Sequence, residues 1–140
     1  MPYLKKEHYI KPRDFTRAGE AAIQVQGLLK SIGLAPALRR RVSICAYESE
    51  MNVVMYGGEG NLILTISPDD TLVLDVIDDG QGIEDIELAM QEGYSTSTPE
   101  YKEMGFGAGM GLPNIKKNSD SFDIKSGKEG THLKITFNIT

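Results

Sequence analysis

Thr71-Leu-Val-Leu-Asp-Val-Ile77, running directly into Asp78-Asp79-Gly80-Gln81-Gly82-Ile83, is the stretch on which the fold turns. Leu72–Ile77 is the second of two alternating apolar runs. The first is Leu62–Ile66, and the Ser-Pro-Asp-Asp turn at 67–70 between them predicts an antiparallel hairpin. An aspartate at the end of a strand can accept a hydrogen bond from an exocyclic amine such as that of adenine. Glycines after it let the backbone lie flat against a ring. A plain Asp-Gly turn after a strand explains the same residues, so this stretch alone does not decide between them.

Working outward, residues 6–10 read as a short edge strand ended by Pro12. Apolar residues then recur at helical spacing from Asp14 or Thr16 to about Ser31, with Gly33 as a stop. Pro36 suits the first turn of a second helix over about 36–56, and the glycine-rich Tyr56–Asn61 segment is a turn. Beyond the hairpin lies a long Gly-, Ser- and Thr-rich region, with a short helix near Ile86–Gln91 and the character of a lid over about 84–108. A helix over Leu112–Lys117 follows, then strands at Phe122–Lys125 and His132–Asn138. The order predicts a single α+β domain over 1–140: a two-layer sandwich, its mixed, mostly antiparallel sheet covered by helices on one face.

Two further motifs flank the first. Glu48 and Asn52 sit one helical turn apart on a face shared with Ile44, Met51 and Met55. An amide oxygen suits magnesium and a carboxylate suits a general base; a helix with two polar residues on a partly exposed edge is the alternative. Gly105-Phe-Gly107-Ala-Gly109-Met110-Gly111-Leu112 leads into a helix, where free backbone N–H groups favour phosphate. It is neither a dinucleotide fingerprint nor a Walker A loop, and the lysine strand and catalytic loop of eukaryotic-type kinases are missing.

Composition narrows the classes. Over 140 residues the net charge is −5, which argues against a nucleic-acid partner. A single cysteine excludes a disulfide framework and a multi-cysteine zinc site. No leader-like apolar segment opens the sequence and no run approaches eighteen apolar residues, so no membrane partner and a cytoplasmic location are expected.

The three motifs in this order resemble the GHKL ATPase superfamily with its Bergerat nucleotide-binding fold. The N-box looks like Glu48-Ser-Glu-Met-Asn52, the first glycine box like Asp78-Asp-Gly80-Gln-Gly82, and the second like Gly107-Ala-Gly109-Met-Gly111. Gly130-Thr131 is similar to the family's closing Gly-Thr. The size, and Met90–Thr98 followed by Gly107–Lys117, look like the small bacterial serine/threonine kinases that act as anti-sigma factors or stress-switch kinases. The insert at 99–104 departs from the shortest switch kinases and leaves the subfamily open.

The resemblance implies ATP and Mg2+ as cofactors. Asn52 would ligate the metal, Asp78 would read adenine with help from Thr131, and Gly80, Gly82 and Ile83 would let the backbone pass the nucleotide. Gly107, Gly109, Met110, Gly111 and Leu112 would cradle phosphates, and Glu48 would be the catalytic base. The implied partners are a STAS-domain antagonist and a sigma factor or PP2C-type phosphatase, and a homodimer is compatible with it. Two other functions fit the same residues: an ATP-gated binding module without catalysis, and a detached histidine-kinase ATPase domain. Arg39-Arg40-Arg41 is a basic patch that suits an acidic partner or a solvated face.

Overall fold

The computed structural model describes residues 3–83, 86–91 and 111–139. In chain order the elements are β1 (Leu4–Ile10), α1 (Glu20–Ser31), α2 (Pro36–Tyr56), β2 (Gly60–Ser67), β3 (Thr71–Asp78), α3 (Ile86–Ala89), α4 (Gly111–Asn118), β4 (Ser121–Gly127) and β5 (Gly130–Asn138). The five strands form one sheet in the order β1-β2-β3-β5-β4. Period-two alternation fixes its register, because a slip of one residue would turn every apolar side chain to solvent. Leu62, Val76 and Leu133 therefore form one row across the central strands, Leu64, Leu74 and Ile135 a second, and Ile66, Leu72 and Phe137 a third. All nine are buried against the helices.

The sheet corrects the expectation of a mixed one: all four ladders are antiparallel. Both β2–β3 and β4–β5 are tight hairpins. β4 runs in the same sense as β3, but its hairpin return β5 is inserted between them, so no parallel pair forms among the described strands.

The helical layer has α2 at its centre, packed on both α1 and α4. With the sheet beneath it as well, α2 buries residues all along its length, from Leu38 and Val42 to Val53 and Val54. α1 starts at Glu20 rather than at Asp14 or Thr16. Turns occupy 12–19: the Asp14 carboxylate accepts the Arg17 N–H at 3.3 Å, and Gly19 adopts φ +100°, a left-handed conformation that a helix cannot continue through. Of the expected lid, 86–91 carries α3, while 84–85 and 92–108 lie outside the described residues.

Candidate nucleotide site

The N-terminal turn of α1 has no capping side chain of its own. Glu50 of α2 supplies the cap from across the helix interface. Its carboxylate accepts the N–H groups of Gly19 (3.0 Å), Ala21 (3.2 Å) and Ala22 (2.9 Å). At 3% exposure this is a buried carboxylate, each of whose oxygens accepts backbone donors at the positive end of a helix. It fixes α1 against α2, and neither oxygen is without a donor. Sequence reasoning missed it; the signal was the absence of Ser, Thr, Asp or Asn at the observed helix start.

Glu48, two residues earlier, points to the other flank. Its Oε2 accepts a hydrogen bond from Asn114 Nδ2 at 2.9 Å, while Oε1 has no donor among the described residues. Asn114 is a second residue that sequence reasoning passed over, and it fixes the carboxylate from α4. One turn along α2, Asn52 has no side-chain hydrogen bond among the described residues. Its Oδ1 lies 3.3 Å from where a Cβ on Gly111 would stand. Glu48, Asn52, Gly111 and the first turn of α4 are thus brought to one place. Cys45 lies on the same helix with its thiol 3.6 Å from the Ile115 carbonyl oxygen. Burial pushes that thiol up to about 12, with Arg41 opposing the rise and Glu48 adding to it.

Asp78 closes β3 opposite Thr131 of β5 and Gly60 of β2. Its Oδ1 accepts the Gly80 N–H at 2.8 Å and, at the long limit of 3.4 Å, that of Gly58; Oδ2 accepts none among the described residues. A Cβ at Gly80 would meet Gly58 N at 2.6 Å and Gly57 C at 2.8 Å, so the Gly57–Gly58 backbone packs directly on the Asp78 loop. Arg13 holds that backbone from behind, donating Nη1 to the carbonyl oxygens of Val54 (3.0 Å) and Gly57 (3.1 Å).

Gly82 has φ +85°, and a Cβ there would collide with the Gly127 carbonyl oxygen. The Ile83 N–H donates to Ser126 Oγ (2.6 Å), which in turn lies 2.7 Å from Thr131 Oγ1. Thr131 therefore sits beside Asp78 in the ladder, with its hydroxyl engaged by Ser126, a residue no sequence motif had marked.

Of the expected phosphate-binding residues, Gly107, Gly109 and Met110 lie outside the described residues. Gly111 and Leu112 open α4. The Leu112 side chain is buried in the core, which leaves its backbone N–H as its contribution to a ligand.

A magnesium nucleotide fits what is present. No group of three His, Cys, Asp or Glu able to hold a metal occurs among the described residues. Magnesium typically takes one or two protein oxygens and completes its shell with phosphates and water, so a lone amide oxygen facing a glycine-started helix is an adequate protein contribution. The free Oδ2 of Asp78 is likewise an acceptor awaiting a donor.

Residues 12–137 match the family model described as "Histidine kinase-like ATPase domain". The chain is 30% identical over 113 residues to serine/threonine-protein kinase RsbT of Bacillus subtilis, covering 78% of this chain and 79% of that protein. It is 35% identical over 95 residues to anti-sigma F factor of Thermoanaerobacter sp., covering 64% and 62%. Among solved structures, the RsbU and RsbW domains of Rv1364c from Mycobacterium tuberculosis superpose with a TM-score of 0.64 at 16% identity, over 96% of this chain and 32% of that one. The SiaB–SiaC complex from Pseudomonas aeruginosa gives 0.61 at 16% identity, over 97% and 89%. No described helix is long and apolar enough to cross a membrane. With a family model spanning nearly the whole sequence and a fold to match, the chain belongs to the histidine kinase-like ATPase domain family, of the GHKL type.

Proposed function

We propose that this chain is an ATP-dependent serine/threonine protein kinase of the anti-sigma or switch-kinase type. It transfers phosphate to a STAS-domain partner and regulates a sigma factor or a PP2C-type phosphatase by exchanging partners. The observation that carries the reading is the juxtaposition of Glu48, held by Asn114 with one oxygen open, with Asn52 and the start of α4. The names of the relatives, a serine/threonine kinase and an anti-sigma factor, support the same class.

In this reading Asp78 receives the adenine amine through Oδ2 while Gly58 and Gly80 orient Oδ1. Asn52 holds Mg2+, which when bound offsets phosphate charge. The N–H groups at the start of α4 face the phosphates. Glu48 accepts the proton of the acceptor serine as its oxygen bonds to the γ-phosphorus and the bond to the departing ADP oxygen breaks. Positioning and charge neutralisation supply most of the acceleration in such transfers.

The test is incubation of the purified protein and a STAS-domain protein with γ-labelled Mg-ATP. Acid-stable phosphoserine or phosphothreonine on the STAS protein is expected. Acid-labile label would point to a histidine acceptor instead, and nucleotide binding without any transfer would leave a binding module.

A further inference from the structure

The three consecutive arginines of α2 do not act together. Arg41 turns toward α4 and β4, donating Nε to the Asn118 carbonyl oxygen (2.9 Å) and pairing with Asp120 (3.0 Å). Arg39 and Arg40 instead line a groove of about 620 Å³. Its floor is the outer stripe of α2, where Pro36, Arg40, Ser43, Tyr47 and Glu48 recur at helical spacing. Gln26 of α1 and Asn114 of α4 stand at the sides. The groove runs into Glu48, the residue assigned to receive the acceptor proton.

We propose that this groove binds an extended, acidic segment of the partner protein, with a hydroxyl residue at Glu48 and a carboxylate at Arg39 and Arg40. The inference rests on the kinase reading and adds the chemistry by which that site selects its substrate. The length of the groove suits an extended segment. From Pro36 to Glu48 the helix rises about 18 Å, a span that an extended chain covers with about five residues. Arg39 and Arg40 stand about 12–14 Å from Glu48 along the axis. At about 3.3 Å per residue that places the acidic side chain about four positions from the acceptor hydroxyl.

The donors are set for this. Arg39 is braced by its Nε donating to the Leu34 carbonyl oxygen at 3.0 Å, which leaves its terminal nitrogens for a carboxylate. Arg40 is exposed and has no partner among the described residues. Ser43 borders the groove, but its hydroxyl is buried and without a hydrogen-bond partner among the described residues, so the two arginines carry the recognition. Glu48 is the carboxylate lining this groove, so the acidic end and the acceptor end of the segment are set in one direction.

Fluorescence anisotropy with labelled peptides tests it. Each peptide carries one serine in a neutral background and one glutamate moved position by position to either side. Tightest binding is expected with the glutamate about four residues from the serine, about tenfold tighter than with lysine there. Arg40→Glu should abolish that preference, and Arg39→Glu/Arg40→Glu should turn it toward lysine; unchanged far-UV circular dichroism confirms the fold of each. Binding that ignores the glutamate position, survives both reversals or never occurs would make this a solvated face and overturn the proposal. Position-dependent peptide binding without phosphate transfer to any STAS protein would sustain the groove and remove the kinase reading. Transfer to a STAS protein that is indifferent to both reversals would do the opposite.

Discussion

On the α1 side of α2, Glu50 has its carboxylate occupied by three backbone N–H groups, whereas on the α4 side Glu48 keeps one oxygen without a protein donor among the described residues. Two residues along a helix turn the side chain by about 200°, so neighbours this close serve opposite interfaces. One flank is mechanical, with both carboxylate oxygens held by backbone donors; the other keeps one oxygen without a donor among the described residues. Residue type does not separate the two roles, because both are glutamates in one motif. The number of donors that the fold aims at each carboxylate does.

Exchanging the two carboxylates for neutral side chains should break the comparison in different currencies. Glu48→Gln should slow phosphoryl transfer by about a thousandfold, within the usual range for a general base, and leave nucleotide affinity and melting temperature nearly unchanged. Single-turnover kinetics beside a thermal melt check both halves. Glu50→Ala should do the reverse. It orphans three N–H groups at a buried helix start and should cost about 3 kcal/mol of stability in urea titration, while protein that remains folded still turns over. A Glu50 variant that is stable but inactive would mean the two flanks had been assigned the wrong way round.

Smaller changes sharpen the contrast. Asn114→Ala removes the clamp on Glu48, so kcat should fall about tenfold with KM for ATP little altered.

The smallest effect concerns Cys45, on the same helix as the two carboxylates. Its thiol sits at about 12 in the folded chain against an ordinary value of 9.0. Below about pH 9 both folded and unfolded chains keep the proton, and the contribution of this group is fully present. Above that the unfolded chain loses its proton first, so stability falls as pH rises toward 12, by at most about 1.4 kcal/mol per pH unit. Urea titrations of the protein and of Cys45→Ala from pH 8 to pH 10 should diverge in that direction.

The same contrast explains how far the sequence could be read. The sheet and both long helices follow from apolar periodicity, and Glu48, Asn52, Asp78 and Gly82 belong to local patterns whose spacing is visible in the chain. Glu50, Asn114 and Ser126 acquire their roles from partners 28–31, 66 and 43 residues away, and no local pattern encodes such distances. The start of α1 was misread for a related reason. Residues 14–18 carry adequate helical spacing, but Gly19 and a cap delivered from α2 set the boundary.

The most direct measurement is calorimetric titration of Mg-ATP into the intact protein, repeated with Asp78→Asn. One saturable site per chain is expected, weakened about ten- to a hundredfold in the variant, which loses the charged acceptor proposed for the adenine amine. An absence of heat with an unmoved melting point, or an Asp78→Asn titration identical to that of the unaltered protein, would contradict the assembly of these distant segments into a nucleotide site.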